Sequence, residues 1–149
     1  MGFHTLDELR RLISQRGRND ITDLTISDKI TNRKYQKRVI ESVCRHYNDK
    51  HRRALLVMAT GTGKTRVSIS LVDVLVRNKW VKNVLFLADR IDLVNQAKKN
   101  YTKLLPDMTV SSLRDSDVDT TARILFSTYQ TMIGHLDRDN KTFSLGRFD

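Results

Sequence analysis

The chain has 149 residues, of which 39% are hydrophobic and 30% charged, the balance of an ordinary globular domain with room for one core. Its formal net charge of +10 favours a polyanionic partner, although a charge count alone does not name that partner. No apolar run approaches the roughly 18 residues of a membrane helix, and no signal peptide opens the sequence. We therefore expect no membrane contact.

The single cysteine, Cys44, excludes an internal disulfide and predicts a reducing compartment, the cytoplasm. We interpret it as a small buried helix residue rather than a reactive thiol. The four histidines show no ligand spacing with cysteine or carboxylate partners, so we expect no zinc.

The first 30 residues predict one helix and a polar connector. Residues 5–8 form a capping-box pattern, apolar residues follow at helical spacing, and Gly17 ends the helix. Residues 18–30 are polar, with a short apolar alternation. We therefore divide the chain into an N-terminal helix and connector, residues 1–30, and a main domain, residues 31–149.

Residues 34–47 predict a second helix whose apolar side carries Val39, Ile40, Val43 and Tyr47. Lysines and arginines concentrate around it, at positions 29, 33, 34, 37, 38, 45, 50, 52 and 53. Two interpretations of this cluster are equally favoured, a solvated face and direct contact with nucleic acid.

The stretch from residue 54 to residue 66 organises the rest of the chain. The unbroken apolar run of residues 54–59 suits a strand covered on both faces. Thr60-Gly-Thr-Gly-Lys-Thr65 follows, and then an amphipathic segment over residues 67–77. Strand, glycine loop and helix are the arrangement of a phosphate-binding loop. The full pattern has glycine or alanine five residues before Gly63, where this chain has Met58.

Each residue type in this loop suits the binding of a nucleotide phosphate. Glycines let the backbone N–H groups point at phosphate oxygens, and the first turn of the helix adds its positive dipole end. Lys64 is the candidate catalytic cation for the β- and γ-phosphates, and the Thr65 hydroxyl is the candidate Mg²⁺ ligand. ATP and Mg²⁺ are thus the expected cofactors. The loop residues expected to bind the nucleotide are Thr60, Gly61, Thr62, Gly63, Lys64, Thr65 and Arg66.

The remainder of the chain alternates strands and helices. Strands are predicted over residues 83–88, 108–112 and 123–127, and helices over residues 67–77, 91–104 and 129–133. The acidic segment 115–119 is interpreted as a turn rather than a metal site. This alternation predicts an α/β domain with a parallel sheet flanked by helices, the fold of a P-loop NTPase.

Four segments together resemble the first RecA-like lobe of a superfamily 2 helicase motor. They are Arg33-Lys-Tyr-Gln36, Met58-Ala-Thr-Gly-Thr-Gly-Lys-Thr65, Val84-Leu-Phe-Leu-Ala-Asp-Arg90 with residues 93–96, and Phe126-Ser-Thr-Tyr-Gln-Thr131. More specifically, the chain resembles the restriction (R) subunit of type I restriction–modification enzymes. Generic helicases of the superfamily usually have Pro-Thr where Asp89-Arg90 stands. The resemblance covers residues 33–133.

The resemblance implies an ATP-dependent translocase that moves along duplex DNA before a site-specific deoxyribonuclease cuts it, with methyltransferase and specificity subunits as partners. Gln36 would read the adenine edge, with Tyr35 or Arg33 packing near the base. A motor that must pass every sequence contacts backbone rather than bases. The residues implied along that DNA groove are Arg90, Gln96 and Thr128. For Tyr35 and Tyr129, core packing is an equally good interpretation.

Helicase hydrolysis needs an acidic motif that holds Mg²⁺ and positions the attacking water, and this sequence lacks it. Its two glutamates, Glu8 and Glu41, do not follow a strand. We therefore expect an incomplete first lobe, without the arginine finger or the nuclease domain. Two alternatives stay open. One is another superfamily 2 helicase, which residues 80–90 disfavour, and the other is a basic nucleic-acid-binding module with a vestigial nucleotide site.

Overall fold

The computed structural model describes residues 20–136 and residue 148. In chain order its elements are α1 (Lys34–Asn48), α2 (Lys64–Arg77), β1 (Val84–Ala88), α3 (Ile91–Leu104), β2 (Val110–Ser112), β3 (Ile124–Thr128) and α4 (Tyr129–Leu136). All seven were predicted, with bounds that differ by no more than three residues. The helix predicted at the N-terminus lies outside the described residues. None of the helices in the described part combines the length and apolarity needed to cross a bilayer.

The three strands form one parallel sheet in the order β1-β3-β2. The register pairs Ala88 with Thr128 on one side of β3 and Ser112 with Phe126 on the other. All five residues of β3 are buried, as expected for a strand with a neighbour on both sides and both faces covered. The prediction of an α/β domain with a parallel sheet is confirmed.

Tyr101 joins α3 to both the sheet and α2. Its ring packs edge-on against Phe86 and Phe126, with centroid separations of 6.0 and 5.3 Å. Its hydroxyl donates to Ser68 Oγ of α2 at 3.2 Å. Burial raises the pKa of Tyr101 to about 12, so the hydroxyl stays neutral at physiological pH. A hydrogen bond between two neutral hydroxyls therefore joins α3 to α2.

Helix α2 is covered on two sides. In its sequence Val67, Ile69 and Leu71 alternate with serines as in a strand, and burial on two sides explains why a helix carries this pattern. Ile69 and Val72 pack in the cluster with α3 and the sheet, while Val67 and Val74 pack in a second cluster with α1. On a helix that is buried on two sides, the apolar residues do not form a single stripe along one face. Cys44 of α1 lies in the second cluster, and burial raises its pKa to about 11, as expected for an unreactive structural thiol.

The prediction of a strand over residues 54–59 is wrong. This segment forms no strand, and none of the described strands pairs with it. Leu55 and Val57 are 87% and 89% exposed, and only Met58 packs, against the cluster between α1 and α2. A strand is stabilised by hydrogen bonds to a neighbour, so an apolar run without a neighbour does not form one. We call residues 55–57 the exposed apolar run.

Candidate functional site

The glycine loop enters α2 through two residues with left-handed backbone. Gly61 has φ +79° and Gly63 has φ +86°, a region that side-chain-bearing residues rarely adopt. Gly63 is the N-cap of α2, and its carbonyl accepts the first helical bond from Val67 N at 3.0 Å. The N–H groups of the first helical turn have no intrahelical acceptor, and the helix dipole is positive there. This is the backbone geometry of an anion-binding site.

The ammonium of Lys64 lies over the loop that precedes it. Its Nζ donates to the carbonyl oxygens of Met58 at 3.1 Å and Ala59 at 3.2 Å. The Thr62 hydroxyl donates to the same Ala59 carbonyl at 2.6 Å. Both lysine acceptors are neutral, so a phosphate oxygen, which forms stronger charge-assisted bonds, would compete well for this ammonium. The lysine is therefore held next to the cradle and can be recruited by an anion.

The first turn of α1 is fastened to the loop through the carbonyl of Thr62. Gln36, which is buried, donates from Nε2 to that oxygen at 2.8 Å, and the Tyr35 hydroxyl donates to it at 2.6 Å. The Gln36 Oε1 accepts from the hydroxyl of Thr31, and Arg33 Nη1 donates to the Tyr35 hydroxyl at 3.1 Å. The Gln36 amide thus has protein partners at both ends. Thr31 was missed in the sequence, because a threonine five residues before a glutamine belongs to no recognisable pattern.

A cavity of about 340 Å³ opens between the start of α1 and the glycine loop. The guanidinium of Arg66 is held at its wall by a bond from Nη1 to the Ile30 carbonyl at 2.8 Å. Of the other predicted contacts, Thr60 is exposed at the start of the loop and Thr65 is half-buried in the first turn of α2. The cavity is lined by Asn32, Arg33, Gln36, Gly61, Gly63 and Arg66.

The three residues implied in DNA tracking belong to the carboxyl edge of the sheet and the helix that follows it. Arg90 is exposed two residues after β1, and its Nε lies 3.8 Å from Asp89 Oδ2. Gln96 is exposed on α3. Thr128, at the end of β3, is buried, and its hydroxyl lies 2.9 Å from Thr131 Oγ1 and accepts from Thr131 N at 3.3 Å. Its hydroxyl therefore caps α4 in this conformation, whereas Arg90 and Gln96 are accessible.

The acidic segment 115–119 forms a turn held by its own carboxylates. Asp115 accepts from Lys98 Nζ at 2.7 Å and from Ser112 N at 2.8 Å. Partial burial acts to raise the pKa of Asp115, but these hydrogen bonds outweigh it and lower the pKa overall. Within the described residues, no group of three or more histidine, cysteine or carboxylate side chains is arranged to hold a metal ion.

The parallel sheet, its flanking helices and the glycine loop at the start of α2 define a partial RecA-like α/β domain. The chain belongs to the ResIII family, described as "Type III restriction enzyme, res subunit", whose sequence model matches residues 29–149. This family contains the helicase-like part of restriction enzymes.

Two curated relatives agree with this assignment. The chain is 38% identical over 112 residues to "Type I restriction enzyme EcoAI endonuclease subunit" of Escherichia coli, covering 74% of this chain and 14% of the relative. It is 28% identical over 124 residues to "Type I restriction enzyme EcoKI endonuclease subunit" of Escherichia coli strain K12, covering 78% of this chain and 11% of the relative. The chain therefore spans about a seventh or less of these relatives, and its resemblance to type I restriction subunits is confirmed.

Alanine at Gly63 should destabilise the fold more than alanine at Gly61. Both positions have positive φ, so each substitution carries strain of roughly 1–2 kcal/mol. A Cβ at Gly63 would also lie 2.4 Å from Gln36 Nε2, whereas a Cβ at Gly61 meets nothing within 4 Å. Displacing Gln36 should cost about 1 kcal/mol more. Chemical denaturation of both variants measures the difference, and equal losses would show that Gln36 does not support the loop.

Proposed function

We propose that the chain is the ATP-binding part of an ATP-dependent motor in a restriction endonuclease, which moves along duplex DNA before cleavage. The observation that carries the proposal is the glycine loop. Two left-handed glycines, the N-terminal end of α2 and the ammonium of Lys64 converge there. Similarity to the endonuclease subunits of type I restriction enzymes supports the remaining parts of the proposal.

The residues of the loop fit a magnesium nucleotide. Backbone N–H groups and an ammonium are the donors that phosphate oxygens require, and a hydroxyl oxygen is the kind of ligand that Mg²⁺ prefers. Lys64 would leave the carbonyls of Met58 and Ala59 and bind the β- and γ-phosphates. The hydroxyl of Thr65 would hold Mg²⁺, which when bound supplies positive charge to those oxygens. The remaining phosphate contacts would come from the backbone of residues 60–66.

Gln36 would recognise the base from the cavity between α1 and the loop. A glutamine amide pairs well with adenine, because it can accept from the exocyclic amine and donate to the neighbouring ring nitrogen. Each end of the Gln36 amide has one protein partner, but an amide carries a second hydrogen and a second lone pair. Tyr35, whose ring is exposed beside Arg33, would pack near the base. The two residues proposed to contact the base, Gln36 and Tyr35, would then be bonded to the phosphate loop through the Thr62 carbonyl.

Mg²⁺-ATP should raise the melting temperature of the chain. At about 100 times the dissociation constant, one binding site adds about 2.7 kcal/mol of stability. For a domain of this size that corresponds to a shift of roughly 5–15 °C. GTP should give a smaller shift, because guanine has an acceptor where adenine has its exocyclic donor. An unchanged melting temperature at saturating ATP would instead favour a nucleic-acid-binding module with a vestigial nucleotide site.

Duplex DNA is the proposed track, contacted through its backbone by Arg90 and Gln96, with Thr128 beside them. Binding should not depend on sequence and should weaken steeply with salt, by about 10³–10⁵ between roughly 50 and 200 mM if six to ten phosphates are contacted. Arg90→Gln should reduce the slope of log affinity against log salt by about 0.9, the contribution of one phosphate contact. The matched change Lys103→Gln, at the far end of α3, should leave that slope unchanged. An affinity that stays constant over this salt range would contradict the proposal.

The proposal extends to the parent assembly. Sequence recognition and methylation would come from specificity and methyltransferase subunits, because backbone contacts of the kind proposed here carry no sequence information. We place the assembly in the cytoplasm, where a buried, unpaired Cys44 is compatible with a reducing environment.

A further inference from the structure

Two turns that carry basic side chains meet at the end of the domain opposite the glycine loop. One turn follows α1 and the other follows α2, and the rings of Tyr47 and Trp80 stack between them with centroids 5.9 Å apart and planes 16° apart. We call the basic residues of this region the basic corner: Arg45, Lys50, Arg52, Arg53, Lys79 and Lys82.

The basic corner is separate from both the nucleotide site and the proposed DNA track. Helix α2 has 14 residues and spans about 21 Å between the glycine loop and the turn that holds Lys79. That turn leads into the amino end of β1, and the five residues of this strand span about 17 Å before Arg90 follows its carboxyl end. The length of α2 therefore separates the basic corner from the nucleotide site, and the length of β1 separates it from the proposed DNA track.

Four of the six basic side chains of the corner differ from other surface cations in their ion pairing. Lys37, Arg77 and Lys98 each pair with an aspartate at 3.2 Å or less. Four corner residues are exposed and form no ion pair with any residue in the described ranges: Lys50, Arg52, Arg53 and Lys79. Closely spaced charges of one sign repel each other, and a bound polyanion would relieve that repulsion.

Both turns have the same hydrogen-bonded construction. His51 N donates to the His46 carbonyl and Lys50 N to the Tyr47 carbonyl, and the turn after α2 repeats the pattern at Trp80 and Lys79. These bonds define the motif that ends many helices with a left-handed glycine, yet lysine occupies that position in both turns, with φ +69° at Lys50 and +58° at Lys79. The His46 and His51 rings also stack, with centroids 4.0 Å apart. The two lysines of the corner thus share the same hydrogen-bonded backbone conformation.

We propose that the basic corner is a second DNA-contacting surface, which binds the phosphate backbone at the end of the domain opposite the ATP site. Guanidinium and ammonium groups on a fixed backbone suit a row of phosphates, and such contacts position a duplex without reading its sequence. The inference goes beyond the proposed function, since it requires neither ATP nor the carboxyl edge of the sheet.

The test compares two variants that lose the same charge. Arg52→Gln with Arg53→Gln alters the corner, and Lys99→Gln with Lys103→Gln alters exposed positions on α3. The backbone carbonyl of Arg53, which contacts His46 Nε2 at 2.9 Å, is kept. Fluorescence anisotropy with a labelled duplex, from about 50 to 200 mM salt, gives the affinity and its salt dependence. The corner variant should lose about 1.8 from the slope of log affinity against log salt, and at least about tenfold in affinity. The α3 variant should stay within about twofold of the wild-type chain.

Three outcomes would overturn the inference. Equal weakening in both variants would mean that DNA senses only the total charge. Unchanged binding in the corner variant would exclude DNA as the ligand of the corner and leave an acidic protein surface as the partner. Absence of duplex binding by the wild-type chain would lead to the same conclusion. The inference is distinguishable from the proposed track, because Arg90→Gln tests that track independently and ATP-dependent stabilisation should be equal in both variants.

Discussion

Lys64→Ala should remove measurable ATP binding while leaving the fold intact. The exposed ammonium is held by the carbonyls of Met58 and Ala59 beside the loop, and it would neutralise the β- and γ-phosphate oxygens. Hydrogen bonds to charged groups contribute about 1.5–3 kcal/mol each, so losing the ammonium should weaken binding by roughly 100-fold or more. In the unliganded chain the lysine makes only exposed bonds to two neutral carbonyls, so the free energy of unfolding should change little.

Titration calorimetry with Mg²⁺-ATP measures this loss, and Lys103→Ala is the matched control. Lys103 is an exposed helical lysine near the end of α3, so its removal changes the net charge equally without touching the loop. Equal affinity in the wild-type chain and Lys64→Ala would show that the loop does not bind phosphate as proposed.

The chain alone should not turn over ATP appreciably, with or without DNA. Rapid phosphoryl transfer needs an acid that positions water and an arginine that stabilises the transferred charge, and such an arginine alone contributes roughly 10³–10⁵ in rate. Within the described ranges, the single glutamate, Glu41, lies inside α1 rather than after a strand, and the exposed Asp89 that follows β1 lies beside Arg90. Phosphate binding without these groups should leave only background hydrolysis.

Steady-state phosphate release, measured with and without duplex DNA, checks this expectation. Lys64→Ala is the control for contaminating phosphatases, because it should lower a rate that belongs to the loop and leave a contaminant unchanged. A DNA-stimulated rate of several turnovers per second that disappears in this variant would show that the chain supplies its own acid.

Local rules predicted most of the fold and part of the site. The glycine loop could be predicted because glycine adopts left-handed backbone far more readily than residues that carry a side chain, and Gly61 and Gly63 both have it. The loop also favoured a helix for the segment that follows it, α2. The strand over residues 54–59 failed because strand formation depends on a neighbour, which an apolar run does not specify.

Contacts between distant residues could not be predicted in the same way. The joining of Gln36 and Tyr35 at the Thr62 carbonyl spans more than 25 residues and is encoded in no local pattern. For the basic corner, the sequence showed the charges around α1 but not that Lys79 lies with them. Their meeting depends on the stacking of Tyr47 on Trp80.

The exposed apolar run makes the behaviour of the chain in solution depend on salt in two opposite ways. Leu55 and Val57 are exposed, and within the described ranges the backbone of the exposed apolar run pairs with no strand. Through this combination one polypeptide can add to another. At low ionic strength, repulsion between molecules that each carry a net charge of +10 opposes such encounters. Raising the salt shortens the range of that repulsion to about 10 Å at 0.1 M. A salt concentration that releases bound DNA should therefore also promote self-association. This self-association should be weaker in dilute than in concentrated solutions of the protein.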